Sequence, residues 1–89
     1  MLIRTIKVDV EKYLEDLWLL FTGDLQASNG IATNKDDLID LIREDRVRAK
    51  DRLEVLRDID VIDQEEYNNM SAKINDESDK VIESFNKTA

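Results

Sequence analysis

The sequence predicts an all-α protein, a small three-helix bundle forming one domain over residues 1–89. Three observations predict it. The chain has no proline and only two glycines, Gly23 and Gly30, so little in it interrupts a helix. Apolar residues recur at helical spacing in three separate stretches. Two polar stretches rich in capping residues divide them. Helices are expected over about 9–22, 35–59 and 64–86.

In the first stretch Leu2, Ile3, Ile6, Val10, Tyr13, Leu14, Leu17, Leu20 and Phe21 fall within one arc of a helical wheel. The first eight residues are β-branched and partly alternating, which also suits an N-terminal arm or a short strand. Asp9 is a fitting N-cap, so the helix is taken to start there. In TGDLQASNGIATNK, residues 22–35, Gly23-Asp24 is expected to end that helix and Asn29-Gly30 to turn the chain. Ile31-Ala32-Thr33 would then pair with the N-terminal residues as a small β-ribbon. Thr33 or Asn34 caps the second helix, with Asp36 and Asp37 in its positive first turn.

Leu38, Leu41, Ile42, Ala49, Leu53, Leu56 and Ile59 form the core stripe of the second helix. Asp45 interrupts it between Ile42 and Ala49, and Arg52 lies beside Leu56 on the same side. Either the helix bends away there and both residues are solvated, or Asp45 and Arg52 form a polar seam pair that fixes register or oligomeric state. In DVIDQEEY, residues 60–67, Asp63 followed by Glu66 is a capping-box pattern, and Ile62 and Tyr67 sit where a hydrophobic staple forms. Tyr67, Met70, Ile74, Val81 and Phe85, with Ile82 beside them, make the third stripe, interrupted at Glu77 and Ser78.

RLEVLRDIDVIDQEEYNNMSAKI, residues 52–74, resembles the short helical hairpin of SHOCT-type segments. Leu53 and Leu56 match its first helix, and Ile62, Glu65, Glu66, Tyr67 and Ile74 its second. Asp60 stands where the pattern has glycine and Asp63 where it has threonine. The resemblance covers about a quarter of the chain. It implies a hairpin used in association rather than an activity.

Composition narrows the function. Histidine and cysteine are absent, which removes Ser-His and Cys-His nucleophiles and the usual neutral-pH acid and base. Paired carboxylates remain as a route to catalysis, but these are spread over exposed helix faces without a Gly-rich phosphate loop. The expectation is a non-enzymatic protein with no cofactor and no small-molecule substrate. Asp58, Asp60, Asp63, Glu65 and Glu66 cluster around the second break, and Asp58-x-Asp60 has the spacing that opens an EF-hand loop. Ile62, Asp63 and Asn69 then occupy positions where a ligand, a glycine and the closing glutamate belong, so no metal is expected. The N-terminal stretch lacks a secretory pattern, and the longest apolar run, Leu17–Phe21, is far short of a membrane span. A soluble cytoplasmic protein without a membrane partner is expected.

The net charge of −8 argues against general binding to nucleic acid. Yet residues 43–57 hold six of the thirteen basic side chains beside four acidic ones. This is the pattern of a central helix with acidic neighbours on both flanks, aided by the local pairs Glu44/Arg48 and Glu54/Arg57. The other readings are a ridge that meets an acidic partner or a second copy, and a weaker nucleic-acid ridge. Trp18, Leu19 and Phe21, within LWLLF, join Arg43, Arg46, Lys50 and Arg57 as candidates for self-association or partner binding. Trp18, Leu19 and Phe21 cannot all face one neighbouring helix; they are either covered by two helices or partly an interface. Asp36, Asp37, Asp40, Asp58, Asp60, Asp63, Glu65 and Glu66 are the candidate contacts to a basic protein partner.

Three functions follow as expectations. The first is an acidic protein-binding module, similar in style to small inhibitors carried by phages and mobile elements, that blocks a basic or nucleic-acid-binding surface. The second is a structural homo-oligomer, a homodimer or larger, in which the second and third helices form a coiled-coil-like seam within an assembly. The third is a nucleic-acid-binding regulator that uses the 43–57 ridge.

Overall fold

The computed structural model describes residues 9–88. Within them three helices follow one another: α1 (Val10–Ile31), α2 (Lys35–Asp58) and α3 (Gln64–Thr88). They form a three-helix bundle. α2 contacts each neighbour more extensively than α1 and α3 contact each other, so it is the central element. There is no strand among the described residues. Ile31 closes α1 instead of entering a ribbon, and the suggested N-terminal arm lies outside the described residues.

Local hydrogen-bonding chemistry sets most of the helix ends. The Asp9 carboxylate accepts from the Lys12 N–H at 3.0 Å and opens α1. Asn34 accepts from the Asp37 N–H at 2.9 Å, while the Asp37 carboxylate reaches back to the Thr33 N–H at 3.0 Å. At α3 the capping box is complete: Asp63 accepts from the Glu66 N–H at 2.8 Å, and Glu66 accepts from the Asp63 N–H at 2.9 Å. α2 ends in a Schellman motif. The Val61 N–H donates to the Leu56 carbonyl at 2.9 Å and the Asp60 N–H to the Arg57 carbonyl at 3.0 Å. Asp60 has φ 62°, in the left-handed region that this position requires.

The first helix is longer than its glycines suggest. Neither Gly23 nor Gly30 has positive φ, and both lie inside α1. The apolar register explains why. Leu17, Phe21, Leu25 and Ser28 recur at steps of four, four and three and are all buried. Two helical glycines cost about 2 kcal/mol together. Burying Leu25 alone recovers roughly 1.5–3 kcal/mol, and a buried hydrogen bond from Ser28 adds to it.

The core comprises Leu17, Phe21 and Leu25 from α1, Leu38, Ile42, Ala49 and Leu53 from α2, and Met70 and Ile74 from α3, with Ile62 from the turn. Val10, Leu14, Leu56, Tyr67, Val81, Ile82 and Phe85 pack around it, partly buried. Three stripe residues depart from expectation: Tyr13, Leu20 and Ile59 are at least half exposed, because the bundle closes on the other side of their helices. Ser78 completes the α3 stripe, fully buried, its hydroxyl donating to the Ile74 carbonyl at 2.8 Å.

An alanine Cβ at Gly23 meets nothing within 4 Å. Gly23→Ala is therefore expected to stabilise the protein by about 0.5–1 kcal/mol in urea denaturation. A loss of stability would mean that the chain leaves the helix at this residue.

Candidate functional site

Asp45 does not bend α2 away from the core. It is 3% exposed and sits inside the bundle with both carboxylate oxygens occupied. The Ser28 hydroxyl donates to Oδ2 at 2.6 Å, and Arg48 Nη2 donates to Oδ1 at 2.8 Å. Arg48 Nε lies 3.5 Å from Asp24 Oδ2 on α1. Asp24, Arg48, Asp45 and Ser28 thus tie α1 to α2 in two places. Burial raises the Asp45 pKa above its ordinary value. The Ser28 hydrogen bond opposes that shift, the Asp24 charge adds to it, and Arg48 opposes it by charge and hydrogen bond.

Arg52 is not the partner of Asp45; it is exposed on the α1 side of α2. The wheel put both on one side, but Arg52 lies two turns away from Asp45 whereas Arg48 is one turn away. Ser28 was missed because a single serine at an apolar position carries little sequence signal.

The basic run divides between the two flanks of α2. Arg48 turns to α1, with Asp45 and Asp24 as partners, so the Glu44 pairing is not formed. Arg57 turns to α3, its guanidinium 4.3 Å from the Tyr67 ring centroid. Its polar partners are Gln64 at 3.3 Å and Asp58 at 3.7 Å, in place of Glu54. Arg43 has only Asp40, at 3.8 Å in solvent. Arg46 and Lys50 are partly buried.

The aromatic stretch also divides. Leu17 and Phe21 point into the core. Trp18 is partly buried, 5.9 Å from Phe21 between ring centroids, with Lys73 of α3 4.9 Å from its ring. Leu19 is 59% exposed. Trp18, Leu19, Phe21, Arg43, Arg46, Lys50 and Arg57 therefore do not share one surface.

The eight candidate acids fall into two groups at opposite ends of α2. Asp36, Asp37 and Asp40 are near its start; Asp58, Asp60, Asp63, Glu65 and Glu66 surround its end. Asp37, Asp63 and Glu66 are engaged in capping. Glu65 belongs to a different set. With Asp76, Asp79 and Glu83 it follows helical spacing along the exposed outer face of α3. This stripe was legible as periodic charge opposite the apolar stripe. Among the described residues, no group of three carboxylates is placed to hold a metal ion, and no helix is long and apolar enough to cross a membrane.

On the opposite side of the bundle from α3, α1 and α2 leave an open groove of about 340 Å³. Leu17 and Leu56 form its floor, Tyr13, Leu20 and Val55 its walls, and Asp16 and Arg52 its two charged rims. No protein-family model, curated protein or solved structure matches the chain.

A raised carboxyl pKa has a definite sign in stability. The folded state holds the Asp45 proton more tightly than the unfolded chain, so Asp45 favours folding most when protonated, and that contribution is lost as pH rises through the folded pKa. Asn resembles the protonated acid and still accepts from Ser28. Asp45→Asn is expected to unfold at neutral pH no earlier than the parent. The parent should gain on this variant as pH falls through the carboxylate range. Asp45→Ala is expected to lose about 2–3 kcal/mol, because Ser28 is orphaned beside a cavity. Thermal unfolding of the three proteins at several pH values checks both; a parent that loses ground to Asp45→Asn on acidification reverses the sign.

Proposed function

We propose that this chain is a small non-enzymatic protein-binding module. It lays the acidic outer face of α3 on a basic surface of a partner protein, as a charge-mimicking accessory or inhibitor protein of a phage or mobile element would. The encounter takes place in the cytoplasm. The observation that carries it is the use of the α2 cations inside the bundle. Arg48 and Arg57 are spent on Asp45, Asp24 and Tyr67. Glu65, Asp76, Asp79 and Glu83 line the exposed outer face of α3, where Lys80 lies 3.3 Å from Asp76.

A solvent-facing row of carboxylates attracts a cationic surface at long range and sets its orientation. It also repels phosphate. That favours a module competing with nucleic acid over one that binds it, and Glu44, Asp51 and Glu54, exposed among the α2 cations, add to the repulsion.

Affinity capture with the immobilised chain tests the reading. Captured proteins should be basic, released as salt rises from ~0.1 to ~0.5 M, and displaced by duplex DNA. Paired Glu65→Lys and Asp79→Lys substitutions should weaken capture ~10-fold or more without changing helicity. Capture indifferent to salt, DNA and both substitutions would overturn the basic partner.

A further inference from the structure

We infer that the α1–α2 groove is the interface of a homodimer whose twofold axis runs along the groove. Tyr13, Leu20 and Val55 are 50, 53 and 56% exposed, and Ile59, one turn beyond Val55 on the same side, is 61% exposed. They form a strip across two adjacent helices, above an apolar floor. Exposed apolar residues grouped side by side, rather than scattered singly, suit a contact surface.

The rims identify the occupant. Asp16 and Arg52 are the only charged residues lining the groove, one on each helix. Asp16 and Arg52 make no ion pair among the described residues, though each is within a side chain's reach of the groove. A twofold axis parallel to the helices lays α1 of each copy over α2 of the other. Asp16 of each copy then meets Arg52 of the other, and the apolar walls meet each other. An axis across the helices would set like against like. The groove is therefore complementary to itself in one orientation, which a partner helix of uniform charge would not match.

Size and charge permit this arrangement. α1 and α2, with 22 and 24 residues, are each at least ~33 Å long and side by side ~20 Å wide. That face approaches the ~800 Å² per partner of a standard interface. The acidic stripe of α3 lies across the bundle from the groove, more than one helix diameter (~10 Å) away. Salt screens repulsion between two such stripes over ~8 Å. The dimer interface and the acidic face are separate surfaces, so the loss of one leaves the other standing.

Sedimentation velocity from ~1 μM to ~1 mM, the range expected of a small interface, tests this on the full chain. The expected species has twice the 10.4 kDa chain mass. Leu20→Glu should give a monomer with unchanged circular dichroism; if that variant unfolds, Val55→Glu takes its place. Asp16→Arg and Arg52→Asp should each weaken the dimer ~10-fold or more, and the double variant should return to within ~3-fold of the parent. A parent that stays monomeric throughout overturns the interface, as does a dimer indifferent to Leu20→Glu and Val55→Glu. Single reversals without effect, or a double variant without recovery, overturn the axis along the groove.

Discussion

The arrangement of α1 against α2 depends on one buried carboxylate. Asp45 occupies a core position of the central helix, where an ionised group is costly unless its lone pairs are met. One partner, Arg48, comes from its own helix; the other, Ser28, must come from α1. That requirement fixes the relative height of the two helices. A shift of α1 by one turn, about 5.4 Å, would leave both the Ser28 hydroxyl and one Asp45 oxygen without a partner. An apolar residue at this position would pack in several registers; the hydrogen-bonded acid accepts one.

The same requirement accounts for the length of α1. A helix ending at Gly23 would stop before Leu25 and Ser28, leaving Phe21 and Ile42 poorly covered and Asp45 with Arg48 alone. The helix therefore runs through two glycines and an Asn-Gly pair that in isolation would break it. Local propensity loses here by a margin of a few kcal/mol at most, which is why it misleads.

What was legible in the sequence follows that division. The caps at Asp9, Asn34 and Asp63 and the turn near Asp60 act over three or four residues, so their chemistry reads directly from spacing. The apolar stripes of α2 and α3 read equally well, since each belongs to one helix. The end of α1 and the partner of Asp45 were not legible, because both depend on which helix lies opposite. Arg52 was paired with Asp45 from the side they share on a wheel, and that coordinate omits the rise along the axis. The exposed state of Tyr13, Leu20 and Ile59 was hidden for a related reason: an apolar arc wider than the contact it makes looks uniform in sequence, and only packing divides its centre from its edge.

The division of the basic run joins fold to function. The central helix supplies a cation to each neighbour, Arg48 to Asp24 of α1 and Arg57 to the Tyr67 ring and Gln64 of α3. The acidic excess lies away from these contacts, along the exposed outer face of α3. The same division leaves Arg52 unspent at the edge of an apolar groove, opposite Asp16. Neither residue strengthens the monomer measurably, since exposed charges contribute little even when paired. Flanking an apolar strip, the two would instead specify the orientation of whatever covers it. Within one chain Asp45 selects a single register between two helices; between chains Asp16 and Arg52 would select a single orientation by the same means, polar groups that tolerate only one alignment of the apolar surface around them.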